Sequence, residues 1–270
     1  MKINEIELYH VHIPLKHTFW PTWIPGYPQT HNRFTLIRLG TDEGIEGWSA
    51  GIAMGEERQG LGDLLGGYII GADPTDVDRM QSLLRQAGIL GWLNYWIEPA
   101  CWDIIGKARG KPVYELLGGE ARPIEVYCSF GELHEPSQRV EEILAMRERG
   151  FRTFKLRAKA REFRDDVRLI EEVRRGVGEG PVIGVDANQG WLVSIVDRIP
   201  AWDLRRATDF AKACADNGIE WLEEPLDWHN YDGLAALKKQ SPVKIAGGEL
   251  NHGWDEIKIM IEKDCFHLYQ

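Results

Sequence analysis

The sequence predicts an α/β protein, with a parallel sheet in its second part and a smaller β-then-α part before it. Three observations carry this. From about residue 123 onward, short apolar segments of strand length alternate with amphipathic segments of helical period. Gly150, Gly178 and Gly218 fall where a helix ends before the next strand, the position that favours glycine. The first 122 residues instead open with three strand-like stretches and turn helical only afterwards.

Residues 3–13 alternate as a strand does, 33–39 form a second strand, and 44–53 form a third after the turn Thr41-Asp42-Glu43-Gly44. Between the first two lies Phe19-Trp20-Pro21-Thr22-Trp23-Ile24-Pro25-Gly26-Tyr27-Pro28, where three prolines and a glycine forbid regular structure and leave an aromatic loop. Helices are expected over 56–69, 75–86 and 92–109, with Asp73-Pro74-Thr75 as the start signal of the second. The register changes near Gly118-Gly119-Glu120-Ala121-Arg122-Pro123, which places the domain boundary after residue 122. Strands then follow at 124–129, 153–157, 182–185, 219–222, 243–246 and 266–269, with helices at 136–149, 163–177, 204–217, 231–239 and 254–262. Repeated strand-helix-strand order means a parallel sheet, either open and doubly wound or closed as a (β/α)8 barrel. No Gly-x-Gly-x-x-Gly follows the first of these strands, so the phosphate loop of a dinucleotide fold is missing.

The formal charge of −10 argues against nucleic acid as a partner, because backbone binding needs clustered cations. No apolar run is long enough for a membrane span, the N-terminus does not read as a signal peptide, and the four scattered cysteines read as free thiols. The cytoplasm is the expected compartment.

Three acidic residues end successive strands: Asp186 after Val-Ile-Gly-Val, Glu223 after Ile-Glu-Trp-Leu, and Glu249 after Ile-Ala-Gly-Gly. They lie 37 and 26 residues apart, about one strand-helix unit each time. In a barrel such strand ends surround one mouth, and carboxylates converging there repel unless a cation lies between them. An all-oxygen ligand set suits Mg2+ or Mn2+. Taken singly, each acid reads as a helix cap or a solvated loop charge; the repetition at equivalent positions argues for the ion. Glu224 is expected to point away from Glu223, since neighbours on a strand alternate. On the strand at 153–157, Lys155 and Arg157 share one face, with Phe154 and Leu156 toward the helices. A lysine beside another cation is expected to have a lowered pKa, suiting it to proton abstraction, whereas a guanidinium stays protonated.

Lys155-Leu156-Arg157, Val185-Asp186-Ala187-Asn188-Gln189, Trp221-Leu222-Glu223-Glu224-Pro225 and Gly247-Gly248-Glu249 resemble, in order and spacing, the enolase superfamily, mandelate racemase/muconate lactonizing group. Residues 111–119, Lys-Pro-Val-Tyr-Glu-Leu-Leu-Gly-Gly, are similar to that family's junction between capping domain and barrel. The resemblance implies a modified TIM barrel, incomplete in this chain, under an N-terminal α+β capping domain of residues 1–122. It implies that Asp186, Glu223 and Glu249 hold Mg2+, that a small carboxylate substrate chelates the metal, and that a base removes the proton α to the carboxylate to give an enediolate. Asn188 would contact the substrate or the groups around the metal's ligands, and Trp20, Trp23 and Tyr27 would sit on a specificity lid, whose other reading is a hydrophobic clamp or dimer contact. A homo-oligomer is expected by analogy.

Two departures shape the expectation. The family's Lys-x-Lys is here Lys-x-Arg, which weakens a two-base racemase and favours dehydration of a hydroxy acid or sugar acid, with Lys155 and Arg157 as catalytic groups. A racemase or epimerase is the alternative, and a non-catalytic metal-binding relative a third. Only six barrel strands are found, and residues 123–270 supply 148 positions against the roughly 250 of a full barrel. The opposite-face acid/base is therefore expected beyond Gln270. His252 and His267 are read as structural.

Overall fold

A computed structural model describes residues 1–52, 66–88, 95–192 and 199–270. The chain divides into two compact units, one of residues 1–17 and 30–123, the other of residues 18–29 and 124–270.

In the first unit, strands β1 (Ile3–Phe19), β2 (Gln29–Thr41) and β3 (Glu46–Ile52) form a sheet in that order, with β2 and β3 antiparallel. β1 and β2 extend further toward each other than the residue pattern predicted, and the irregular stretch shrinks to residues 20–28. Alternation on β2 buries Thr35, Ile37 and Leu39 against helices α1 (Val77–Gly88) and α2 (Glu98–Arg109). Gly47 lets α2 approach the sheet closely, since a Cβ there would lie 2.0 Å from the Ala100 carbonyl oxygen. The carboxylate of Asp76, one residue before α1, accepts the Arg79 backbone N–H at 3.1 Å. Asp73 instead folds back on Thr75 in a local turn, so the start signal lies three residues later than expected. A short helix, α3 (Val113–Leu116), closes the unit. Of the helix expected over 56–69, residues 56–65 lie outside the described ones, as do residue 53 and residues 92–94.

The second unit holds a six-stranded sheet, β4 (Tyr127–Ser129), β5 (Thr153–Arg157), β6 (Val182–Asp186), β7 (Trp221–Glu223), β8 (Lys244–Gly247) and β9 (Leu268–Tyr269), with every neighbouring pair parallel and in sequence order. Between the strands run α4 (Pro136–Glu148), α5 (Phe163–Val177), α6 (Leu204–Asp216), α7 (Tyr231–Gln240) and α8 (Gly253–Glu262). Gly150, Gly178 and Gly218 have φ of 97°, 73° and 61°, the left-handed turn that ends a helix at little cost only for glycine.

The period-two alternation of the strands divides this unit by chemistry. Phe154, Leu156, Ile183, Val185, Leu222 and Ile245 are fully buried in one cluster with Ile143, Ile170, Val173 and Phe210 from the helices. Each such side chain contributes roughly 1.5–3 kcal/mol. The opposite face carries Lys155, Arg157, Asp186 and Glu223. Burying that apolar face is what turns those four polar side chains to one side. All four cysteines are free thiols, as expected.

Candidate active site

Strand register sets the site. Arg157 pairs with Asp186, Asp186 with Glu223, and Glu223 with Ala246, so one row of the sheet carries a cation and two adjacent carboxylates at its C-terminal edge. Two residues back, Lys155 pairs with Gly184 and Gly184 with Trp221. A Cβ on Gly184 would lie 2.0 Å from the Trp221 indole. Glycine thus leaves room for that ring, which donates from Nε1 to Glu223 Oε2 at 3.3 Å.

Lys155 Nζ donates to Glu223 Oε1 at 2.6 Å and stands 3.4 Å from Asp186 Oδ2. Arg157 contacts Asp186 Oδ2 through Nη1, donates from Nε to the Phe130 carbonyl at 2.7 Å, and reaches Asn188 Oδ1 at 3.3 Å. Asp186 Oδ1 accepts the Asn188 backbone N–H at 2.8 Å. Asp186 and Glu223 are fully buried, and Lys155 and Arg157 nearly so.

Burial on its own would lower the Lys155 pKa, but the charges of Asp186 and Glu223 outweigh it and hold the ammonium above the usual lysine range. This reverses the lowering expected from the sequence. Arg157 does act to lower it, but the two carboxylates act more strongly, and their proximity is invisible in the chain order. Asp186 is pushed up, first by burial and then by the Glu223 charge. Burial would also raise Glu223, but Lys155 holds it below the usual carboxylate range.

Glu224 corrects a second expectation. Its φ of 44° is left-handed, breaking the strand alternation and turning the side chain into the same cavity. Gly190 makes room, since a Cβ there would lie 2.6 Å from Glu224 Oε1. Burial, with the charges of Asp186, Glu249 and Glu223 behind it, pushes the Glu224 carboxyl up to about 8. Asn188, also left-handed at φ 46°, hydrogen-bonds it.

Of these groups Lys155, Arg157, Asn188 and Glu224 line a cavity of about 860 Å3 together with Trp23, Tyr127 and the exposed Glu249, while Asp186 and Glu223 lie fully buried against the two cations. The Arg157 guanidinium lies 5.3 Å from the Trp23 ring centre, and the Lys155 ammonium 5.5 Å from that of Tyr127. Of the three loop aromatics singled out from the sequence, Trp23 lines the cavity, whereas Trp20 and Tyr27 are 54% and 63% exposed and are not among its walls. The loop is tied down by Thr22, whose backbone N–H and hydroxyl both donate to the Gly131 carbonyl, at 3.0 and 2.8 Å. Tyr127, Ser129, Trp191 and Asn251 also line the cavity and had no sequence signal beyond lying just after a strand or within one. His267 is exposed and uses Nδ1 to accept the Ile245 backbone N–H at 2.9 Å, which is structural work.

The site is richer in negative than positive charge. Asp186, Glu223, Glu224 and Glu249 act on one another electrostatically and face two cations, Lys155 and Arg157, so two negative charges are left over when all are ionised. All the acidic donors are carboxylate oxygens, the chemistry a hard divalent cation takes. The donor set and its charge fit Mg2+. Asp186 and Glu223 stand side by side with the ammonium touching both, while Glu249 lies at the rim. Among the described residues, no three such groups converge closely enough to hold an ion as they stand.

A family model described as the mandelate racemase/muconate lactonizing enzyme N-terminal domain matches residues 6–118, and one described as enolase C-terminal domain-like matches residues 138–270. The chain belongs to the mandelate racemase/muconate lactonizing enzyme group of the enolase superfamily. Its six parallel strands and antiparallel N-terminal sheet are that superfamily's fold. The chain is similar to an N-succinyl-L-Arg/Lys racemase of Bacillus cereus, 28% identical over 91% of this chain and 65% of the relative. It is 34% identical to a D-galactonate dehydratase of Pectobacterium atrosepticum over 80% of this chain and 58% of that enzyme. Among solved structures, an enolase from Bradyrhizobium complexed with magnesium and mandelic acid superposes with a TM-score of 0.83 at 27% identity, over 100% of this chain and 73% of the other. The chain thus spans under two thirds of the length of these curated relatives. The relatives include both dehydratases and racemases.

Proposed function

We propose that this chain serves the Mg2+-assisted removal of the proton α to a carboxylate, and that the net reaction is loss of water from a hydroxy acid or sugar acid. The observation that carries the reading is the buried row of Arg157, Asp186 and Glu223 with Lys155 against it, whose two cations line one cavity with Glu224 and Glu249. Asp186, Glu223 and Glu249 are the residues that would hold the ion. A divalent cation there supplies positive charge to the substrate's carboxylate oxygens as the α-proton leaves.

The chain's own residues account for binding and orientation. Lys155 and Arg157 offer fixed positive charge to an anionic substrate, and their carboxylate partners keep them placed before it arrives. Neither is suited to take the proton as they stand: the guanidinium stays protonated, and Lys155 is engaged by two carboxylates. Trp23 walls the cavity, excluding water from one side of it.

The racemase relative, which matches 91% of the chain, favours a second reading in which the proton returns to the same carbon. Mass spectrometry on a panel of hydroxy acids and sugar acids, with Mg2+ in deuterated water, separates the two. Loss of 18 mass units (the mass of water) supports dehydration. Deuterium at the α-carbon without that loss supports racemisation. With the full-length protein, Mg2+ binding with neither outcome would overturn both and leave a non-catalytic relative.

A further inference from the structure

Residues 130–135 lie between β4 and α4 and belong to neither a strand nor a helix. Three consecutive residues of this segment each hold a different part of the site. The Phe130 carbonyl accepts from Arg157 Nε at 2.7 Å. The Gly131 carbonyl accepts both the backbone N–H and the hydroxyl of Thr22. Glu132 Oε1 accepts the Trp20 backbone N–H at 2.6 Å. Gly131 also lets the aromatic loop lie against the segment, since a Cβ there would stand 2.5 Å from the Phe19 ring and 3.5 Å from that of Trp23. The Phe130 N–H is anchored to β5 by the Lys155 carbonyl at 3.1 Å, but its own carbonyl shares a peptide plane with Gly131, so its direction follows the segment. One irregular stretch thus sets where both Arg157 and Trp23 stand.

Arg139, on the first turn of α4 and 3% exposed, holds that stretch from behind. Its Nη2 donates to the Glu132 carbonyl at 2.6 Å, its guanidinium lies 4.2 Å from the Phe130 ring centre, and its Nη1 pairs with Glu142. Burying a guanidinium costs free energy that an apolar side chain of similar volume would not. Such a side chain would fill the space, but only a planar fork of donors fixes a carbonyl, a ring face and a carboxylate in set directions at once. We propose that Arg139 is a positioning residue, which through residues 130–132 holds Arg157 and the Trp23 loop in one fixed relation. It is not among the walls of the cavity and acts only through these neighbours. This rests on the reading above, in which Arg157 meets the substrate's carboxylate, and deepens it: a cation placed in advance binds the anion without reorganising.

The first test is hydrogen exchange read by mass spectrometry, which needs no ligand. In Arg139→Met, peptides over residues 18–29 are expected to exchange at least about tenfold faster, as the Trp20 and Thr22 amides lose their acceptors, while peptides over β6 and β7 keep their protection. Arg139→Lys, which keeps the charge but not the fork, is expected to do the same and carries the comparison if the methionine variant does not fold. Arg174→Met is the control, because Arg174 is also buried and donates to the carbonyls of Gly178, Pro181, Asn217 and Gly218 ahead of β6 and β7. It is expected to cost stability without loosening residues 18–29 more than the rest. The second test titrates gluconate in Mg2+, with an expected loss of about tenfold in affinity in Arg139→Met and none in Arg174→Met. Protection of residues 18–29 that is unchanged in both Arg139 variants, or lost only in step with β6 and β7, overturns the proposal. So does a loosened loop with gluconate affinity intact, which would separate Arg139 from Arg157. Failure of gluconate to bind the unmodified chain counts against the hydroxy-acid reading instead, and the exchange result then decides for Arg139.

Discussion

Lys155 is where residue-scale energetics are most exposed. Its ammonium touches two buried carboxylates, so its removal leaves both facing a low dielectric with only Arg157 to answer them. Breaking a buried pair from one side costs about 3–5 kcal/mol. Lys155→Met is therefore expected to lose that much stability in metal-free urea denaturation and to abolish turnover. Arg157→Lys keeps the charge but gives up its bonds to Phe130 and Asn188, a loss of about 1–2 kcal/mol. Equal and mild losses in both variants would show that the two charges are solvated and play no part in the site. Lys155 and Arg157 were legible because strand alternation gives them one face. The sign of the Lys155 shift was not, because it depends on which carboxylates the register brings beside it.

At the scale of elements, legibility tracks how much of the pattern is local. β5 was read to the residue because Thr-Phe-Lys-Leu-Arg alternates cleanly. β4 proved half the expected length, and Glu224 was placed on the wrong face because a left-handed φ after β7 leaves no mark in the hydrophobic pattern. Two predictions belong here. Gly184→Ala forces the Trp221 ring off the sheet and away from Glu223, and a cost of about 1–3 kcal/mol, read by denaturant unfolding together with a shifted tryptophan emission, is expected. A glycine acting only as a flexible link would show neither. The second concerns Asp166 on α5, which accepts the Ala160 backbone N–H at 2.8 Å and pairs with Arg206 of α6 at 2.8 Å. Burial, outweighing both partners, pushes its pKa up from 3.8 to about 6. The folded chain then binds more protons than the unfolded one between these values, so this group's contribution is full below pH 3.8 and is lost as pH rises through about 6. About two pKa units correspond to roughly 3 kcal/mol. Urea denaturation from pH 4 to 7 should show that slope, and Asp166→Asn should flatten it. A slope unchanged by the substitution would assign the pH dependence to other groups.

For the whole molecule, the site's charge and the fold's stability are one problem. The strands are held by an apolar face packed on helices, and that packing sets the opposite face, where Glu224 and Glu249 just past the strand ends join Asp186 and Glu223 and outnumber Lys155 and Arg157. Folding must therefore bring carboxylates together against their repulsion, and a ligand that binds only the assembled arrangement returns that free energy. A divalent cation at about 100 times its dissociation constant adds roughly 2.7 kcal/mol of stability, enough to raise the melting temperature by several degrees in a chain of this size. Mg2+ is expected to do so, while a monovalent salt at matched ionic strength, which only screens, is not. Glu223→Gln removes a charge and a ligand from the centre of the row and is expected to cancel the Mg2+ increment without unfolding the chain. Its apolar face is untouched, since Glu223 lies opposite Leu222. If the variant keeps the full increment, the ion is bound elsewhere, and the excess negative charge of this cavity is balanced by protonation of its own acids instead.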